Sequence, residues 1–198
     1  MGDRTARGVI SEQFRLLVPH GKLAEAIASL EGALRSLKKT PYHAVLGTDF
    51  RHHTASASEY LATFFEEASR TIKVKALYFE MNGFETNPDR WFFDGFAYKR
   101  AGDIWGLDWL SAWDAEPGEE FVLTGMASVQ QAFAKLYLDK RQPLVVQLAG
   151  ELAEHLVTAR FMELVAAAHK SAKGRSKALR GLPVLSTAHE WDVVHRTT

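Results

Sequence analysis

The hydrophobic period of this chain switches between helical and extended, which points to a fold that packs helices on a sheet. From Lys22 to Lys38, Leu23, Ile27, Leu30, Leu34 and Leu37 recur at i, i+4, i+7, i+11 and i+14. That is the apolar stripe of an amphipathic helix. Lys38, Lys39 and Pro41 close it, because cations favour the negative helix end and proline cannot continue the turn. Ahead of it Phe14, Leu16 and Val18 alternate up to Pro19-His20-Gly21, which predicts a strand over 13–18. Tyr42 to Leu46 predicts another, so residues 13–46 read as strand–helix–strand. Arg51 to Thr54 reads as loop. Ser56 and Glu59 have capping-box spacing ahead of an apolar face formed by Leu61, Phe64, Phe65 and Ala68.

The period then becomes extended. Ile72 to Met81 predicts a strand whose apolar parity switches near Ala76, as a bulge or burial on both faces would require. Residues 82–89, with Asn82-Gly83 and Asn87-Pro88, read as one loop. Trp91 to Lys99 and Ile104 to Trp109 predict two more strands joined by the turn Arg100 to Asp103, and Glu119 to Leu123 adds a fourth. From Ser128 helical spacing returns through Val129, Phe133, Leu136 and Tyr137, and Pro143 opens a further helix toward His169. Its stripe moves from Leu144, Leu148, Leu152 and Leu156 to Val157, Phe161, Leu164, Val165 and Ala168. Either this helix breaks near Leu156, or it meets different neighbours along its length.

The fold class is therefore α+β. An antiparallel β-meander (about 72–123) is extended by the N-terminal strand–helix–strand, packed against helices, and followed by a C-terminal helical pair. The 198 residues suit a single domain over 1–198, with an α+β core at 9–125, a helical part at 126–180 and a tail or short strand at 181–198.

Composition narrows the chemistry. There is no cysteine, so disulfides, thiolate nucleophiles, Cys-based zinc sites and iron–sulfur clusters are excluded. No segment has the form of a signal peptide or a transmembrane helix, and a cytoplasmic protein is expected. Glycine-rich phosphate loops and the G-x-S-x-G elbow are missing, and Lys173 to Ser176 reads as a solvated basic loop. Glu151, Glu154 and His155 share a helix without forming a zincin or di-iron pattern, and His52-His53 has no ligand set around it. No metal and no cofactor are expected. His189 with Glu190 and Asp192 could form a base and its orienting carboxylate, but the three flank Trp191, which is expected to pack. The run Lys170 to Arg180 carries five cations and no acid, yet no aromatic platform lies among them, which disfavours nucleic acid.

One window stands out. Half of the chain's Phe, Trp and Tyr residues lie between Tyr78 and Trp113, and from Ala76 to Glu120 ten acids face three bases. Rings interleaved with carboxylates form a sheet core, a surface for a basic partner, or both. The candidate binding residues are Trp91, Asp94, Trp105, Asp108, Trp109 and Trp113. The expectation is a non-enzymatic binding protein, inhibitor- or immunity-like, that recognises a basic protein partner. The alternative is a metal-independent small-molecule-binding protein or enzyme with a pocket between sheet and helices, using Asp94, Asp108 or a histidine.

Overall fold

A computed structural model describes residues 12, 14–137, 139 and 141–198. The chain is α+β, about half helical, around a five-stranded mixed sheet. The helices are α1 (Leu23–Ser36), α2 (Thr54–Ser69), α3 (Ala127–Leu136) and α4 (Leu144–Arg175). The strands are β1 (Ala76–Asn82), β2 (Phe92–Tyr98), β3 (Phe121–Val122), β4 (Val184–Ala188) and β5 (His195–Thr197). The sheet order is β3-β2-β1-β4-β5. All pairs are antiparallel except β1 with β4, which runs parallel.

The N-terminal strand–helix–strand is corrected to helical turns flanking α1. Residues 14–17 are helical, and the Val18 amide donates to the Phe14 carbonyl. Phe14 and Val18 are both buried while Leu16 is 57% exposed. The side that faces inward thus repeats at i, i+4, a spacing that a three-residue alternation contains as well as a strand does. Residue 13 and residues 1–11, part of the expected domain, lie outside the described residues. The expected strand at Tyr42 to Leu46 is the 3-10 helix Pro41–Val45. Proline at its first position, and a capping box in which the Thr40 amide donates to His43 Nδ1 at 3.1 Å, favour a helical start.

The Leu23–Leu34 stripe of α1 is buried against α4. Helix α4 runs unbroken from Leu144 to Arg175 and packs on α1, on α2 and on β4, which accounts for its moving stripe. Buried residues lie all round it, from Leu148, Leu152 and Leu156 to Phe161, Val165 and Ala172. One hydrophobic cluster extends from Phe14 to Val193 and takes in the helix-facing side of the sheet through Leu77, Phe79, Met81, Phe93 and Ala97.

The other sheet face carries a smaller cluster of Ala76, Tyr78, Tyr98, Leu185 and Val194. Residues 76–79 are buried on both faces, so the parity switch needs no bulge. What covers this second face is not the expected strand at Ile104 to Trp109. That segment is a loop with a 3-10 helix, Leu107–Ser111, laid across the sheet. Asp103 turns it: its carboxylate accepts the Trp105 amide at 3.1 Å and its carbonyl accepts the Trp109 indole N–H at 2.9 Å. A side chain that captures a backbone amide two residues on competes with ladder pairing. The meander thus reduces to β1, β2 and the two-residue β3, and β4 and β5 take the other edge.

Candidate functional site

Antiparallel register places Glu80 of β1 directly opposite Asp94 of β2. By alternation both side chains, themselves half-buried, lie on the second face with Tyr78, Phe96 and Tyr98. Like charges directly opposite across a strand pair oppose folding, so the arrangement needs compensation. Glu80 receives the Tyr78 hydroxyl at 2.6 Å and pairs with His189 Nδ1 at 2.7 Å. Among the described residues Asp94 receives only the Asn82 amide, at 3.3 Å. Burial, then Glu120, Glu80 and Glu116, push the Asp94 carboxyl up to about 6, and Arg90 opposes them weakly. Beside this pair, Phe96 stacks on Tyr78, and Trp113, 47% exposed, meets Phe96 with ring centroids 5.1 Å apart. Asp114, nearby, is held below the usual carboxylate range by the Lys99 amide and side chain.

A cavity of about 190 Å³ adjoins this face where β1 and β4 end. It is lined by Met81 and the Gly83–Thr86 turn on one side, and by Tyr137, Glu154, His189, Glu190 and Trp191 on the other. Glu154, on α4, accepts the Tyr137 hydroxyl and the Trp191 indole N–H. Burial raises its carboxyl above the usual range despite those two donors. Phe84 and Glu190, both lining the cavity, have φ of +56° and +61°. Left-handed backbone at bulky residues stores strain and is concentrated at functional sites.

The six expected binding residues separate. Asp94 and Trp113 lie together on the open face. Trp91 is corrected to core: it is 1% exposed and packs on Phe84 and Phe133. Trp109 is half-buried and meets the Tyr98 ring at 4.7 Å, so it is mainly a lid over the sheet. Trp105 is 65% exposed but lies beside His20, at 5.7 Å, and Asp108 is an exposed residue of the covering 3-10 helix.

Several participants carried no local signal. Glu80 holds His189 Nδ1 at 2.7 Å while the expected Glu190 lies 3.9 Å from Nε2, and Asp192 pairs instead with Arg15 at 2.9 Å. Only the parallel pairing of β1 with β4 brings residues 109 positions apart together. The spacing of Tyr137 and Glu154, which bracket Pro143, also gives no hint of their contact. Elsewhere, His52 and His53 lie in a helical turn where a loop was expected. They occupy the 3-10 helix Arg51–His53 with ring centroids 4.0 Å apart, and His53 Nε2 accepts the Thr124 amide. His155 Nδ1 lies 2.7 Å from the Glu151 carbonyl. Among the described residues, no group of three His, Asp or Glu side chains could hold a metal ion, and no helix is long and apolar enough to cross a membrane.

No family model matches the chain, and no curated protein or solved structure is significantly similar to it. Fold and site together define an α+β protein with an acidic, ring-edged sheet face beside a small polar cavity.

Proposed function

We propose that this protein is a non-enzymatic binding protein whose acidic aromatic face recognises a basic segment of a protein partner. The observation that carries the proposal is the opposed pair Glu80 and Asp94 on a partly open sheet face, beside the exposed ring of Trp113. A cationic side chain laid over Asp94 would relieve the repulsion from Glu80, Glu116 and Glu120 that the isolated fold must bear. Rings at the edge of such a patch supply the desolvated contact that holds a complex, and the carboxylates supply steering and orientation. Trp113 and Phe96 serve as anchors. Trp105 and Asp108 extend the acidic surface along the covering segment, which Trp109 pins to the sheet through Tyr98.

The test is capture of the partner from the native cell by the tagged chain, followed by association kinetics at two salt concentrations. Asp94→Asn is expected to slow association chiefly at low salt, where screening is least. Trp113→Ala is expected to speed dissociation at both, by about tenfold or more for a central anchor. A captured partner whose binding ignores both substitutions and salt would refute the assignment of this face.

A second reading, a small-molecule site, is favoured by one specific observation: the cavity at the end of β1 and β4, with its half-buried carboxylate and strained rim.

A further inference from the structure

The cavity wall accepts hydrogen bonds and offers almost none. Its two strongest neutral donors, the Tyr137 hydroxyl and the Trp191 indole N–H, are both spent on Glu154. His189 Nδ1 lies 2.7 Å from a Glu80 oxygen, which can only accept, so this nitrogen carries the proton. In the neutral ring Nε2 is then a lone pair. Glu85 and Glu190 add two exposed carboxylates, and no Lys or Arg lines the cavity. Thr86 is the one lining side chain with a hydroxyl still able to serve either way.

Glu154 is the deepest of these acids. No cation stands within 4 Å of it among the described residues, whose ion pairs all lie elsewhere. A half-buried carboxylate satisfied by neutral donors still bears part of the cost of desolvation without a counter-charge. The remaining wall is aromatic. Phe84, Tyr137 and Trp191 present rings, whose faces attract a cation once water is displaced. Inorganic cations fit poorly, because a divalent metal needs several converging ligands and no such group is present among the described residues. At about 190 Å³ the space is also smaller than the roughly 300–1,000 Å³ of pockets that take drug-sized molecules. An occupant must therefore be small, cationic, rich in N–H donors and apolar along one side.

We propose that this cavity binds a primary alkylammonium group, its N–H groups donating to Glu154 and the neighbouring acceptors while its stem lies against Trp191 and Tyr137. Such a group can arrive as a free amine or as the lysine side chain of a protein. The inference goes beyond partner binding by the sheet face and does not depend on it.

The experiment titrates the whole chain with n-butylammonium chloride at constant ionic strength. Heat of binding is measured alongside the indole N–H resonance of Trp191, assigned with Trp191→Phe. n-Butanol, which has the same stem without charge, is the control. Saturable binding that moves the Trp191 resonance, at least tenfold tighter for n-butylammonium than for n-butanol, is expected. Glu154→Gln should weaken it tenfold or more. Glu190→Gln, on the exposed rim and safe for folding, should weaken it a few-fold. A blocked Ala-Lys-Ala peptide separates the sources: binding at the same resonance assigns the site to protein lysine, and binding of the free amine alone assigns it to a small molecule. Equal responses to amine and alcohol, no response to either, or unchanged affinity in both folded variants would overturn the proposal. Partner capture tested through Asp94 and Trp113 reads the sheet face independently, so the two readings fail separately.

Discussion

Asp94→Asn should stabilise this protein at neutral pH while weakening the proposed complex, and the size of the gain follows from the site. Folding raises the Asp94 carboxyl from 3.8 to about 6. The folded state thus prefers the protonated form, and the contribution of Asp94 to stability is greatest below pH 3.8 and falls as pH rises to about 6. A shift of about two units corresponds to roughly 3 kcal/mol. Asp94 is only half-buried, so solvent screening reduces this to about 1–2 kcal/mol. Asparagine removes the charge and keeps an oxygen for the Asn82 amide that Asp94 now accepts at 3.3 Å. Urea melts at pH 7.5 should move the midpoint upward by about 0.5–1 M, given slopes of about 1–3 kcal/mol per molar urea. At pH 4.5 the gain should shrink to about a third, because the unfolded carboxyl is by then mostly ionised while the folded one is still protonated. A less stable variant at pH 7.5, or an equal gain at both pH values, would refute the like-charge origin of the shift. Combined with slower partner association, the gain would show that stability has been given up for function at this position.

Two further outcomes concern the fold. Burial lowers His195 from 6.5 to about 4, and its Nδ1 has no hydrogen-bond partner among the described residues, so the unfolded chain takes up the proton first. Its contribution to stability, up to about 3 kcal/mol, is present at pH 7 and lost as pH falls from 6.5 toward 4; a His195→Phe variant with an unchanged acid limb in pH-dependent melts would contradict this. At Gly95 a Cβ would lie 2.8 Å from Phe79 and 3.0 Å from Phe64, both core rings. Gly95→Ala should therefore cost about 1–3 kcal/mol as an overpacked site, and an unchanged thermal midpoint would show that the β2–α2 contact is looser than its geometry implies.

The parts of the fold legible in the sequence were those whose period was sustained. Five leucine and isoleucine positions specify α1, and the long stripe that opens at Leu144 specifies α4, because accidental agreement with a 3.6 period becomes rare over several turns. Short runs failed where local polar chemistry overrode them. Phe14, Leu16 and Val18 fit both periods, and burial of the first and third alone decides for a helical turn. Tyr42 to Leu46 looked extended, but Thr40, Pro41 and His43 build a helical start. Ile104 to Trp109 alternates well, yet Asp103 captures the chain before a ladder can form.

The site was legible only in its charge and rings. Composition pointed to the window that holds Asp94 and Trp113, and large rings do lie on both sides of β2. It could not say which rings would be covered, since that depends on the loop crossing the second face. Nor could it foresee Glu80 as the partner of His189, because the parallel β1–β4 pairing spans a hundred residues and all of α4. The same crossover explains why two acidic features adjoin. Helix α4 returns the chain so that β4 ends beside β1, delivering His189, Glu190 and Trp191 to the edge of the face that β1 and β2 had already made acidic. Glu80 belongs to both: one oxygen holds His189 at the cavity, and its charge faces Asp94 across the strands. Charge placed on the sheet face by a partner would therefore be felt at the cavity through Glu80 and His189, and an ammonium ion in the cavity would in turn ease the repulsion at Asp94.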